Sequence, residues 1–170
     1  MRNWNVIFGV WSIVIVGSPA VASPPEGPRV LKDLVYHKPA HVRHKLDLYL
    51  PRKASTPLPL IVWVHGGAWL AGSKERCPAV RFVADGYAVA SINYRLSQHA
   101  KFPAQLVDCQ SAIRWLRKHA TSYGIDPQRI GAWGSSAGGH LVALLGTTGD
   151  TKEFQNAGGI SSQVQCVVDW

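Results

Sequence analysis

The 170-residue sequence predicts an α/β protein, a three-layer α/β sandwich in which helices cover a mostly parallel sheet. Two observations support this prediction. Continuous apolar runs at 60–65 and 87–94 are typical of strands that are buried on both faces. A segment with helical periodicity follows at 103–121, so strands and helices alternate along the chain, as the crossovers of a parallel sheet require.

Each further element has its own local signal of alternation, helical periodicity or turn residues. Strands are expected over 30–36, 46–50, 60–65, 87–94, 129–133 and 164–170. Helices are expected over 77–85, 103–121 and 136–145. In the longest helix, Leu106, Cys109 and Ile113 begin an apolar stripe with steps of three and four residues. The last strand reaches Trp170 without the loop and covering helix that usually follow, so we expect a sheet truncated after 164–170.

Composition and charge argue against several functions. The chain carries 18 Lys and Arg residues against 10 Asp and Glu, a formal net charge of +8. The basic residues are scattered without a nucleic-acid-binding motif, so nucleic acid is not an expected partner. Cys77, Cys109 and Cys166 fit no metal spacing, and no metal or cofactor is expected. Their odd number permits at most one disulfide within the chain, and we interpret Cys109 and Cys166 as small buried side chains.

The first 22 residues have the pattern of an export signal. Arg2 and the amino terminus supply positive charge, and residues 6–16 form an apolar stretch too short to span a bilayer comfortably. Ala20 and Ala22 provide the small residues that signal peptidase accepts, so cleavage is expected after Ala22. We therefore expect a periplasmic or extracellular protein with a mature domain at 23–170 and no stable membrane anchor. An uncleaved anchor or a buried N-terminal helix is the alternative.

Residues 134–138 read Gly-Ser-Ser-Ala-Gly, a G-x-S-x-G pattern between an apolar strand and an apolar helix, and we call them the serine turn. Side chains larger than glycine would clash beside such a turn, which explains Gly134 and Gly138. The turn exposes the Oγ of Ser136 at a helix N-terminus, where the helix dipole favours negative charge. Ser136 is therefore the candidate nucleophile, and the backbone N–H of Ala137 is a candidate oxyanion donor. A glycine-rich turn with an incidental serine is the alternative.

A second motif, HGGAW, begins what we call the HGG loop, residues 65–72. Gly66 and Gly67 allow backbone N–H groups to turn toward the oxygen of an acyl intermediate, so both are candidate oxyanion donors. His65 precedes the serine in the chain and belongs to this loop. We interpret His65 as a support that holds the loop by hydrogen bonding, with general-base catalysis as the alternative.

These segments together resemble the α/β-hydrolase fold, specifically the esterase/lipase branch related to hormone-sensitive lipase, with bacterial carboxylesterases among its members. The stretches that carry the resemblance are LPLIVWVHGGAWLAGSK, ASINYRLS, FPAQLVDCQSAIRWLRKHA and DPQRIGAWGSSAGGHLVALLG, in the order found in bacterial members. The resemblance covers residues 30–170 and implies hydrolysis of carboxylic esters: short-chain acyl esters, or acetyl or feruloyl groups on plant polysaccharides. Many relatives carry a third glycine where this chain has Ala68, a change that the loop should tolerate.

The other members of a catalytic triad are not evident in the sequence. In the α/β-hydrolase fold an Asp or Glu and then a His follow the nucleophile. The acids after the serine turn are Asp150, Glu153 and Asp169. The later histidine, His140, lies one helical turn beyond Ser136 and points along the helix, which favours a packing or hydrogen-bonding role. We therefore expect the triad Asp and His to be absent, and the chain to be the inactive N-terminal portion of an esterase.

Other interpretations stay open. A non-catalytic hydrolase-like module would bind an acyl or aromatic ligand at the serine turn without turnover, and a serine peptidase of the same fold would cleave amides. Asp108 is interpreted as a polar residue on a helix face. Trp69, Tyr94 and Leu96 either border the substrate pocket or anchor the core and the loops.

Overall fold

The computed structural model describes residues 27–149, 151 and 159–170. The predicted signal peptide at 1–22 lies outside the described residues, as do Asp150 and Glu153. The strands are β1 (Arg29–Val35), β2 (Lys45–Leu50), β3 (Leu58–Val64), β4 (Ala88–Ile92), β5 (Ile125–Gly134) and β6 (Cys166–Asp169). The helices are α1 (Ala104–Lys118), α2 (Ala120–Tyr123) and α3 (Ala137–Thr148), with a 3-10 helix at Pro78–Val83.

The strands form one mixed sheet in the order β1-β2-β4-β3-β5-β6. β3 pairs in parallel with β4 and β5, and β5 pairs in parallel with β6, whereas the pairings of β2 with β1 and β4 are antiparallel. Parallel neighbours require long crossovers, and the 3-10 helix, α1 and α3 lie in those connections. The predicted α/β architecture is confirmed, and both sequence motifs follow strands of the parallel part.

The side chains of β3 alternate between two cores, one on each face of the sheet. Leu60, Val62 and Val64 lie in the main core, together with residues of α1 and α3. Trp63 lies in a smaller core on the opposite face, where Val83 of the 3-10 helix packs. Because both faces are covered, this strand is apolar throughout, which is the signal that predicted it.

Several boundaries differ from the predicted ones. The helix expected at 136–145 begins at Ala137 and continues to Thr148, because Ser136 itself has a φ of 53°, which no α-helix contains. The helix expected at 103–121 is divided at His119 into α1 and α2. β5 begins well before residue 129, because its first residue, Ile125, already pairs with Leu58.

All three cysteines have free thiols. The sequence predicted that two of them, Cys109 and Cys166, are buried. Cys109 is fully buried in the main core, as predicted. The prediction for Cys166 is wrong, because this thiol is exposed. β6 is one of the two edge strands, and Val167, the residue after Cys166, packs against the main core. Cys166 therefore points to the opposite face of the sheet.

Candidate active site

The serine turn holds Ser136 in a conformation that few residues adopt. Its φ is 53° and its ψ is −118°, and the residue is exposed immediately before the first turn of α3. A non-glycine residue in such a conformation costs about 1–3 kcal/mol and persists only where the surrounding structure enforces it. The structure therefore places this serine at the carboxyl end of β5 and the N-terminus of a twelve-residue helix.

Gly134 and Gly138 bring backbone segments into direct contact. A Cβ on Gly134 would lie 2.3 Å from the carbonyl oxygen of Gly138. A Cβ on Gly138 would lie 2.1 Å from the carbonyl oxygen of Val64 and 2.6 Å from that of His65. No side chain tolerates such distances to backbone atoms. These two glycines therefore close the serine turn and also let the end of β3 and the HGG loop pack against it.

Gly66 is the point at which the HGG loop meets the serine turn. A Cβ on Gly66 would lie 2.7 Å from the carbonyl oxygen of Ser135 and 3.3 Å from the Cβ of Ser136. Within residues 27–149, 151 and 159–170, the backbone N–H groups of Gly66, Gly67 and Ala137 have no hydrogen-bond acceptor. The structure thus brings all three predicted donor residues into the two segments that meet at the exposed serine.

The HGG loop turns sharply after its glycines. Gly67, Ala68 and Trp69 have φ values of 112°, 52° and 58°. The backbone N–H groups of Leu70 and Ala71 both donate to the carbonyl oxygen of Gly67 at 2.9 Å. Ala68 therefore occupies a left-handed conformation that a glycine adopts without strain, which is the physical reason a third glycine suits this position.

His140 lies on α3, one turn from the serine. Its backbone N–H donates to the carbonyl oxygen of Ser136 at 3.0 Å. Its ring contacts the ring of Trp69 edge to face, with the centroids 5.4 Å apart, and this contact supports the packing interpretation. Among the described residues, no side chain forms a hydrogen bond with the Oγ of Ser136. The structure therefore assigns no general base to the serine within those residues.

His65 is buried at the start of the HGG loop, with only 4% of its surface exposed. Its Nδ1 lies 2.7 Å from the carbonyl oxygen of Gly66, and its Nε2 lies 3.1 Å from Nη2 of Arg43. The ring stacks on Tyr94 at 4.4 Å between centroids. Burial lowers the pKa of His65 to about 4, so the imidazole is neutral near pH 7. Both ring nitrogens are engaged within the loop region, which argues against His65 as the general base.

Arg43 is a residue of this site that sequence reasoning missed. Its Nε donates to the carbonyl oxygen of Tyr94 at 2.7 Å, and its Nη2 donates to the carbonyl oxygen of Gly72 at 2.9 Å. With the contact to His65, the guanidinium joins both ends of the HGG loop to the segment after β4. Arg43 lies between β1 and β2, outside both motifs, so no local pattern distinguishes it from the scattered surface arginines.

Lys74 anchors the chain just after the HGG loop. Its Nζ lies 2.8 Å from Oδ1 of Asp47 and 3.2 Å from Oδ1 of Asp33, and its backbone N–H donates to Oδ1 of Asn93 at 2.8 Å. Its carbonyl oxygen accepts a 2.7 Å hydrogen bond from Ser91. Burial opposes the charge of Lys74, but the hydrogen bonds to the two carboxylates outweigh it and raise its pKa. The loop is therefore fixed to β2 by a buried ion pair, and to β4 and the segment after it by hydrogen bonds of the Lys74 backbone.

The structure shows the surroundings of three further residues that the sequence analysis discussed, Asp108, Tyr94 and Leu96. Asp108 lies on α1, as interpreted, but its side chain is buried and paired, which the sequence did not indicate. Its carboxylate accepts hydrogen bonds from the side chain and backbone N–H of Arg95 and contacts Nε2 of His44 at 3.1 Å. These partners come from outside α1, so the helix pattern gave no sign of them. Tyr94 and Leu96 belong to the main core.

Among the described residues, no group of three or more His, Cys, Asp or Glu side chains is arranged to hold a metal ion. None of the described helices combines the length and the apolar composition needed to cross a bilayer.

The strand, serine turn and helix, together with the adjoining HGG loop, define an α/β-hydrolase of the esterase type. The chain belongs to the BD-FAE family, whose model matches residues 46–170. This match includes the HGG loop and the serine turn, and it confirms the predicted resemblance.

Curated relatives carry esterase names. Esterase LipC of Mycobacterium tuberculosis is 36% identical over 114 residues, which are 65% of this chain and 28% of the relative. The arylesterase of Saccharolobus solfataricus is 39% identical over 105 residues, 57% of this chain and 34% of the relative. The chain therefore spans about a third or less of the length of these two relatives.

Solved structures agree with the family assignment. A truncated form of a carbohydrate esterase from gut microbiota has a TM-score of 0.78 at 33% identity, covering 87% of this chain and 58% of that chain. The thermophilic esterase Est2 of Thermogutta terrifontis has a TM-score of 0.67 at 34% identity, covering 84% of this chain and 52% of that chain. The chain thus spans between half and three-fifths of these structures.

Proposed function

We propose that the protein is a serine carboxylic-ester hydrolase in which Ser136 is the nucleophile. The oxyanion of the tetrahedral intermediate is bound by the backbone N–H groups of Gly66, Gly67 and Ala137. The observation that carries the proposal is the exposed Ser136, held at a positive φ beside these N–H groups, which have no acceptor among the described residues. The esterase names of the matched relatives and structures support the same reaction class.

The reaction follows from these positions. The Oγ of Ser136 attacks the ester carbonyl carbon and loses its proton to a general base, and the carbonyl oxygen becomes the bound oxyanion. Collapse of the intermediate breaks the bond to the leaving oxygen, which takes up the proton from the base and departs as the alcohol. Water then hydrolyses the acyl-serine, which releases the carboxylic acid and restores the Ser136 hydroxyl. A serine without a base is a poor nucleophile, and none is assigned among the described residues. The prediction that residues 1–170 alone are inactive therefore stands as part of this proposal.

For the substrate, we propose short acyl esters, with acetyl or feruloyl groups on polysaccharides as the natural targets. One matched structure is named a carbohydrate esterase from gut microbiota, and another is named a bifunctional GH43-CE protein of Bacteroides eggerthii. The latter has a TM-score of 0.77 at 37% identity, covering 83% of this chain and 20% of that chain. No nucleic acid, metal or cofactor takes part in this proposal.

Export is part of the same proposal, since polymeric substrates of this kind lie outside the cell. The predicted cleavage after Ala22 releases a mature domain that begins at residue 23. N-terminal sequencing of the protein purified from its own host tests this: a first residue of Ser23 supports export, and an intact N-terminus contradicts it.

The test of activity uses the native gene product as its host makes it. Turnover of p-nitrophenyl acetate and release of acetate or ferulate from acylated xylan are measured for the wild type and for Ser136→Ala. We expect Ser136→Ala to lose at least about 10³-fold in kcat. Ser122→Ala, an exposed position on α2, is the matched control with unchanged kcat.

Two results would overturn the proposal. Binding of acylated ligands without turnover, unaffected by Ser136→Ala, would indicate a non-catalytic module. Cleavage of peptide amides in preference to esters would indicate a peptidase of the same fold.

A further inference from the structure

We propose that Arg43 is a positioning residue of the oxyanion site: through His65 and Gly66 it sets the direction of the Gly67 N–H. The inference rests on the proposed function for its catalytic consequence. The structural part, a fixed His65 tautomer, stands on contacts alone.

The two contacts of His65 require the same tautomer. An arginine side chain only donates hydrogen bonds, so the Nε2 that lies 3.1 Å from Nη2 of Arg43 is an unprotonated acceptor. A carbonyl oxygen only accepts, so the Nδ1 that lies 2.7 Å from the Gly66 oxygen carries the proton. The neutral tautomer protonated on Nδ1 satisfies both partners, and Arg43 selects it by occupying Nε2.

The hydrogen bond from His65 to the Gly66 oxygen also fixes the orientation of the neighbouring Gly67 N–H. The carbonyl of Gly66 and the N–H of Gly67 belong to one planar, trans peptide unit, in which they point in opposite directions. Fixing the Gly66 oxygen toward His65 therefore fixes the Gly67 N–H on the other side of the loop. Gly72 packs over this bond, because a Cβ there would lie 2.5 Å from the Gly66 oxygen and 2.6 Å from Nδ1 of His65.

The geometry requires an arginine. Besides His65, the guanidinium of Arg43 donates to the carbonyl oxygens of Tyr94 and Gly72. A longer contact of 3.4 Å reaches Oδ1 of Asn93, so the planar group joins three separate segments. A lysine ammonium is a single point charge and does not reproduce this fork. Arg43 thus ties His65, at the start of the HGG loop, to Gly72 at its end.

The kinetic test compares Arg43→Met and Arg43→Lys in the native protein. With the Gly67 donor misaligned, we expect kcat for p-nitrophenyl acetate to fall about 10- to 100-fold in both variants, with KM within about twofold of wild type. The double variant Arg43→Met with His65→Asn should be no slower than His65→Asn alone, because both act through one relay. Unchanged kcat in Arg43→Met, or full rescue by Arg43→Lys, would overturn the inference.

Arg129→Met is the matched control. Arg129 is likewise a bridging arginine, with Nε 2.7 Å from Oδ2 of Asp126 and Nη2 2.7 Å from the oxygen of Pro57, but it lies in the amino-terminal half of β5. A kcat within twofold of wild type in this variant excludes a general effect of losing a bridging arginine. A loss equal to that of Arg43→Met would overturn the specific role.

A spectroscopic readout separates the inference from the proposed function. In ¹⁵N NMR spectra of the wild type near pH 7, with His65→Asn used for assignment, we expect a protonated Nδ1 and an unprotonated Nε2 for His65. In Arg43→Met the Nε2 resonance should shift, because its hydrogen bond is lost. A protonated Nε2 in the wild type would overturn the inference even in an active esterase. A wild type without ester hydrolysis but with this tautomer would overturn the proposed function and leave the tautomer assignment intact.

Discussion

The serine turn and the HGG loop meet at Gly66, yet they are held in place by different means. The turn depends on the absence of side chains, since Gly134 and Gly138 let backbone segments touch. The loop depends on long polar side chains from remote segments, chiefly Arg43 and Lys74. The glycines that permit the turn therefore lie within residues 134–138, whereas the side chains that hold the loop come from remote segments of the assembled fold.

This difference predicts different failures. A change at the turn acts through steric overlap, which is large and independent of pH. A change at the loop acts through buried charge and hydrogen bonding, which respond to the protonation of the groups involved.

The largest effect is expected for Gly138→Ala. The added Cβ would lie 2.1 Å from the carbonyl oxygen of Val64, and only a backbone shift relieves that overlap. We expect the free energy of unfolding, measured by urea denaturation, to fall by more than about 4 kcal/mol. Gly27→Ala, where no atom lies within 4 Å of the new Cβ, should change it by less than about 0.5 kcal/mol. A stable Gly138→Ala protein would show that the turn and the loop separate easily.

A smaller loss in the free energy of unfolding is expected for Lys74→Met, which removes the ion pair that holds the HGG loop. The Asp47 carboxylate has 3% of its side chain exposed and would remain buried without its cation. Such a change typically costs about 3 kcal/mol, again measurable by urea denaturation. Lys45→Met removes a longer contact, 3.9 Å to Asp33, from a side chain that is 37% exposed, and should cost below about 1 kcal/mol. Equal losses in the two variants would contradict the role assigned to burial.

The last prediction concerns the dependence of stability on pH. Burial lowers the pKa of His65 to about 4, below its ordinary value of 6.5, so the unfolded chain takes up the proton first as the pH falls. The contribution of His65 to stability is therefore complete above about pH 6.5 and is lost toward pH 4, by at most about 1.4 kcal/mol per pH unit. Denaturation midpoints between pH 7 and pH 4 should show a shallower slope in His65→Asn. An identical slope would place the acid sensitivity elsewhere, for example at His44, whose pKa burial also lowers.

The sequence predicted what is encoded locally. The six strands, the serine turn and the HGG loop were found because apolar runs and glycine patterns are properties of neighbouring residues. The 3-10 form of the helix at Pro78–Val83 and the early start of β5 were missed, since backbone hydrogen bonding and strand pairing decide them.

The supporting network could not be predicted for a physical reason. The contact between Arg43 and Gly72 joins residues 29 positions apart, and the burial of Asp108 depends on Arg95 and His44. A charged residue gives the same local signal whether it faces solvent or a buried partner. The prediction for Cys166 was wrong in the opposite direction, since burial was expected and the thiol is exposed. Its exposure depends on which face of the edge strand is covered.

The close backbone contact at Gly138 has a consequence for directed evolution. The position that tolerates least variation carries no functional group, and a mutational library that includes it will consist mainly of unfolded members. Leu70, 59% exposed on the HGG loop, and the half-buried Trp69 beside it offer side chains that can be exchanged without opening that contact. Selections for new substrate preference are therefore best restricted to such positions, with the glycines of both motifs held constant.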